Sequence, residues 1–142
     1  MAASSMDEAL AELAREWLTK ALHDLQTAAI VAAAAGGPLD TATNHCQQAA
    51  EKAMKGWLAA NNIAFEKTHD VRRPIGQAKS NWPEFMRLAD AAESLTPYAT
   101  AYRYPGIGNE LVPEREEFDE ALANAQSVFD FAVELRPPKA RP

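Results

Sequence analysis

From Asp7 to Ala35 the chain runs without a glycine or proline, and its apolar residues return at three- and four-residue steps: Leu10, Leu13, Trp17, Ala21, Leu25, Ala28. That spacing marks one face of an α-helix. At 1.5 Å per residue such a helix is about 42 Å long. A helix of this length spans a whole domain, so the elements packed against it must be long as well. Ser4 or Ser5 is the expected cap, and Asp7 and Glu8 fall in the first turn, where the helix dipole favours negative charge. Gly36-Gly37-Pro38 ends the run.

The same period recurs along the chain. From Asp40 to Asn61 the stripe is Cys46, Ala49, Ala50, Ala53, Met54 and Trp57, with Asp40 or Thr41 as cap and Asn61-Asn62 as stop. Glu51 and Lys55 stand four apart in the order that favours an ion pair, with Lys52 and Lys55 otherwise read as a solvated face. From Ile63 to Trp82 the pattern is broken by Pro74, which predicts a loop and one short helix starting near that proline. A third long segment starts at Trp82-Pro83-Glu84, carries Phe85, Leu88, Ala89, Ala92 and Leu95, and meets Pro97, where it kinks or breaks. The last begins near Pro113-Glu114 and runs to Leu135 through Phe118, Ala121, Leu122, Ala125, Val128, Phe129, Ala132 and Val133. No segment alternates with a period of two. The expected fold is all-α: an up-and-down antiparallel bundle of four long helices plus one short helix. It forms one domain over residues 1–142, with a core of about 7–136 and a tail at 137–142.

Composition narrows the function. Cys46 is the lone cysteine, which excludes an internal disulfide and a Cys-rich zinc site. It neighbours His45, but adjacent helix residues point about 100° apart and do not form a nucleophile–base pair. The N-terminus lacks a signal-peptide pattern and no apolar run reaches the roughly 20 residues of a membrane span, so the protein is expected to be soluble and cytoplasmic. Neither form of glycine-rich phosphate loop occurs. The single Glu-x-x-His spacing, Glu66 to His69, falls short of a di-iron set, so no metal is expected. Net charge is −6, which argues against generic binding to a nucleic-acid backbone. The charge is uneven, however. Residues 52–79 hold six Lys/Arg against two Asp/Glu, between two acidic stretches. A local cationic patch there attracts an anion even on an acidic protein.

Two stretches remain: His45-Cys46-Gln47-Gln48-Ala49-Ala50-Glu51-Lys52-Ala53-Met54-Lys55 followed by Lys67-Thr68-His69-Asp70, and Leu95-Thr96-Pro97-Tyr98 followed by Tyr102-Arg103-Tyr104-Pro105. In this order they resemble the short bacterial members of the HEPN domain family (higher eukaryotes and prokaryotes nucleotide-binding), from about Trp17 to Val133. The resemblance implies a helical bundle, a homodimer, and work near nucleotides or RNA. It also implies a minimal nucleotidyltransferase as partner, often in a toxin–antitoxin pair. Two features depart from it, the first being Val71-Arg72-Arg73-Pro74 after His69-Asp70, where relatives are usually leucine-rich. Nuclease members carry an Arg followed after four to six residues by a His, and no such pair occurs here: Arg15 and His23 are separated by seven residues, and no His follows Arg72, Arg73 or Arg103.

The leading expectation is therefore a non-catalytic HEPN domain that binds a nucleotide, an RNA or a partner nucleotidyltransferase. Lys52, Lys55, Lys67, His69, Arg103 and Tyr104 are its candidate ligand residues. Arg103 suits a bidentate grip on phosphate and Tyr104 suits stacking on a base. Two alternatives stand beside it. One is a divergent ribonuclease toxin with His69 as its base. The other is a pure protein-interaction module.

Overall fold

The computed structural model describes residues 2–61, 95–99 and 112–135, with side chains over 8–61, 95–99 and 112–134. Three α-helices and a short 3-10 turn occupy these residues, and no strand occurs among them. They are α1 (Ala2–Ala33), α2 (Leu39–Ala60), the 3-10 turn (Thr96–Ala99) and α3 (Arg115–Leu135). The short helix expected near Pro74 and the long one expected from Trp82 lie outside the described residues, apart from Leu95.

α1 stops at Ala33 because Gly36 takes the left-handed conformation, φ +73°, which glycine adopts without strain. The chain then reverses within five residues. Gly56 of α2 lies against Ala14 and Leu18 of α1, while Asp24 reaches His45 nearer the start of α2. The two helices are thus antiparallel. α3 packs chiefly against α2. At its first residue, Arg115 Nη1 donates to the carbonyl of Ala32 at 2.6 Å, so α3 begins beside the end of α1.

The starts of the helices differ from the expected caps. α1 already begins at Ala2, which puts Ser4 and Ser5 inside it. α2 begins at Leu39 after Pro38, whose backbone is extended and which makes no side-chain cap hydrogen bond. Asp40 instead sits in the first turn and its Oδ1 accepts from the Thr41 backbone N–H at 2.7 Å.

The core forms where the periodicity of α2 and α3 predicts it. Cys46, Ala49, Ala50, Ala53, Met54 and Trp57 are fully buried, with Phe118, Ala121, Ala125, Val128 and Ala132 of α3 against them. On α1 the buried line is Ala14, Leu18, Ala21, Leu25, Ala28 and Ala32. Its lower half is therefore turned by one position from the expected stripe. Leu13 is 41% exposed and Trp17 is half-buried. The reason is close approach: Gly56 leaves room for Leu18, whose Cγ lies 3.0 Å from where a Cβ would stand. Small residues let the α1 and α2 backbones meet there, and larger ones move aside.

α2 is more deeply enclosed than a surface helix. Thr43, Gln47, Glu51 and Lys55 recur at four-residue steps and are all buried. The solvated face expected around Lys55 is thus an interior one.

Candidate functional site

The polar groups of the seam between α1 and α2 gather on Asp24. This residue stands three after Ala21 and four before Ala28, so the helical period places its carboxylate on the buried line, and its side chain is 9% exposed. Oδ1 accepts from His45 Nδ1 at 2.8 Å. Oδ2 accepts from Lys52 Nζ at 2.6 Å. His45 and Lys52 are seven residues apart on α2, two turns on one face, and so reach the same carboxylate. A buried carboxylate is costly unless paired and hydrogen-bonded. Here both oxygens have a donor. The bond at Nδ1 fixes the imidazole, since a carboxylate accepts and Nδ1 must carry the hydrogen. His45 and Lys52 keep 27% and 26% of their side chains exposed.

Lys55 has a different setting. Its Nζ lies 2.7 Å from Glu51 Oε1, both side chains are under a tenth exposed, and the ammonium sits 5.2 Å from the centre of the Trp17 ring. Gln47 Nε2 donates to the other Glu51 oxygen at 3.2 Å. Lys55 thus carries its charge from within the bundle, while Lys52 presents its charge at the surface.

A second polar junction ties α2 to the 3-10 turn. Asn44 Nδ2 donates to the carbonyl of Tyr98 at 3.0 Å, Gln48 donates to Asn44, and Tyr98 O–H donates to Glu117 Oε1 of α3 at 2.8 Å. The turn that holds Pro97 is therefore clamped on both sides. Beside it the start of α3 is acidic: Glu114, Glu116, Glu117 and Glu120 line an open recess with Val112. That surface repels a phosphate.

Of the six candidate ligand residues, Lys52 and Lys55 lie on α2 as described. Lys67, His69, Arg103 and Tyr104 fall outside the described residues. Sequence reasoning did not single out Asp24, and it weighed His45 only as the neighbour of Cys46. The available signal was an aspartate placed in step with an alanine and leucine stripe. Cys46 is enclosed, and burial pushes its thiol up to about 12, so it is a core residue with no nucleophilic character. No group of three or more His, Cys, Asp or Glu placed to hold a metal ion occurs among the described residues. None of the described helices is long and apolar enough to cross a membrane.

The HEPN domain family model matches residues 14–136, nearly the whole chain. The chain belongs to the HEPN domain family. Two crystal structures share its fold. ST0689, an archaeal HEPN homologue, is 26% identical with a TM-score of 0.67, the match covering 84% of this chain and 93% of that one. TT1696 from Thermus thermophilus is 30% identical with a TM-score of 0.72, covering 85% and 96%. No curated protein matches the chain significantly. The described residues of this HEPN domain are helical, and the Asp24 cluster lies at the seam of its first two helices.

Proposed function

We propose that this HEPN domain binds the phosphate of a nucleotide or of an RNA strand and does not cleave it. The observation that carries the reading is a HEPN domain spanning residues 14–136 whose sequence lacks an Arg followed after four to six residues by a His. Metal-independent cleavage of RNA needs a base held at the 2′-hydroxyl. A domain without that pair keeps the binding task and loses the chemical one. In this reading Lys52, Lys67, His69 and Arg103 attract the phosphate, Lys55 adds its charge from beneath, and Tyr104 stacks on the base. The domain works as a homodimer in the cytoplasm, with a minimal nucleotidyltransferase as its companion in a toxin–antitoxin pair.

A panel of nucleoside mono-, di- and triphosphates tests this by thermal shift. A ligand at a hundred times its Kd adds about 2.7 kcal/mol to stability, a shift of several degrees. The expected result is a shift with one member of the panel that Arg103→Ala removes.

The pairing of Lys52 with Asp24 and of Lys55 with Glu51 favours a second reading, in which these lysines serve the fold and the domain only holds a protein partner. A flat response to every nucleotide, with a nucleotidyltransferase retained on the immobilised protein, selects that reading.

A further inference from the structure

α1 keeps an apolar patch that the described residues leave open. Leu13 is 41% exposed and Trp17 is half-buried, because Ala14 and Leu18 take the inner positions beside Gly56. With Glu16 and Lys20 these two line a shallow hollow of about 170 Å³. The Lys55 ammonium, 5.2 Å from the centre of the Trp17 ring, helps to hold that ring in place. Glu16 and Lys20 are both exposed and stand four apart in the order that favours an ion pair. They close none among the described residues, whereas Glu51 and Lys55 do so at the same spacing. Apolar side chains grouped at an exposed hollow and rimmed by charge mark a contact with another molecule.

The charges select the occupant. Two copies of α1 laid antiparallel about a twofold axis beside residue 18 set Glu16 of each copy level with Lys20 of the other. The rim is thus complementary to itself, as a twofold contact requires. The midpoint of Ala2–Ala33 falls between residues 17 and 18, so the same axis overlaps the two helices along almost their whole length. Trp17 then stands about 3 Å along the helix direction from Trp17 of the other copy. The apolar stem of Lys20 covers Leu13 across the contact while its ammonium reaches the carboxylate. We propose that the Leu13–Trp17 face of α1 docks on the same face of a second copy, with two Glu16–Lys20 ion pairs across the axis. This deepens the homodimer of the reading above, on which it rests, by stating which surface joins the copies.

Sedimentation velocity at low ionic strength, where exposed charges act most strongly, tests the face. The wild-type protein is expected to sediment as a dimer. Glu16→Lys and Lys20→Glu each set like charges opposite one another, twice per dimer by symmetry, and weaken self-association by about tenfold or more. Both positions are exposed, so circular dichroism should show an unchanged fold. Mixed in equal amounts, the two variants should regain the dimer, because every lysine then faces a glutamate. The double variant Glu16→Lys with Lys20→Glu should regain it on its own. Rescue by mixing two separate chains is a result that a role of these residues within one chain does not produce. Single variants that associate as the wild type does, or a mixture that stays monomeric, overturn this face and leave a homodimer through another surface standing. A monomeric wild-type protein overturns the face and the homodimer together, and leaves the hollow to a different protein.

Discussion

The Asp24 carboxylate of α1 receives the Lys52 ammonium of α2 at 2.6 Å, across a seam that is otherwise mostly apolar. This bond and its twin to His45 join the two helices by polar contacts where most of their contact is apolar. Asp24→Ala leaves Lys52 and His45 without their acceptor. Both are a quarter exposed and can turn to water, so the expected loss is about 1–3 kcal/mol, below that of a fully enclosed pair. Urea unfolding measures it, with an unchanged m-value showing that the effect is on stability alone.

The enclosed pair behaves differently. Glu51 and Lys55 have little access to water, so removing one partner strands the other. Lys55→Ala is expected to cost about 3 kcal/mol or more, and the double change Glu51→Gln with Lys55→Met to recover most of it. A double-mutant cycle of Glu51→Gln, Lys55→Met and their combination, read by thermal unfolding, gives the coupling directly. If the double variant loses the sum of the two single losses, the pair contributes nothing specific.

Gly56 is expected to resist alanine although alanine is the better helix former. A Cβ there would stand 3.0 Å from Leu18 Cγ and 3.2 Å from the Ala14 carbonyl oxygen, a backbone atom that cannot swing away. Helix propensity offers about 1 kcal/mol in favour, and overpacking costs about 1–3 kcal/mol. The net expectation for Gly56→Ala is a lower Tm. A rise in Tm would mean that α1 and α2 separate freely at this crossing.

Cys46 predicts a pH effect with a definite sign. Burial raises its thiol from 9.0 to about 12. Between those values the unfolded chain loses the proton and the folded one keeps it. The stabilising contribution is therefore complete below pH 9.0 and is lost as pH rises through that window, by up to about 1.4 kcal/mol per unit. Unfolding curves of wild type and Cys46→Ala should keep a constant separation below that window and converge or cross within it. A thiol reagent at neutral pH should label Cys46 only at the rate of unfolding.

The parts of this molecule that periodicity made legible are those where one apolar face is unambiguous. On α2 the stripe from Cys46 to Trp57 and on α3 the stripe from Phe118 to Ala132 are buried as their spacing predicts. α1 offers two candidate lines side by side, Leu10–Leu13–Trp17 and Ala14–Leu18–Ala21. Hydrophobicity favours the first, whereas close approach to Gly56 selects the second. Spacing alone carries no information on which partner is near. The same limit hid Asp24, because an aspartate reads as a surface residue until its two partners on the next helix are known. Glu51 and Lys55 were read correctly as a pair, but burial makes that pair a matter of kcal/mol where spacing alone suggests tenths.

Binding without cleavage is the central claim, and one experiment tests both halves. Labelled single-stranded RNA is incubated with the pure protein. The bound fraction is read by filter retention, and the integrity of the retained strand by gel. The account predicts retention that weakens with salt and with Arg103→Ala, and a strand recovered at full length. A shortened strand, with cleavage abolished by His69→Ala, would contradict it and make the domain a ribonuclease. An unretained strand, together with a flat nucleotide panel, would leave it a protein-interaction module.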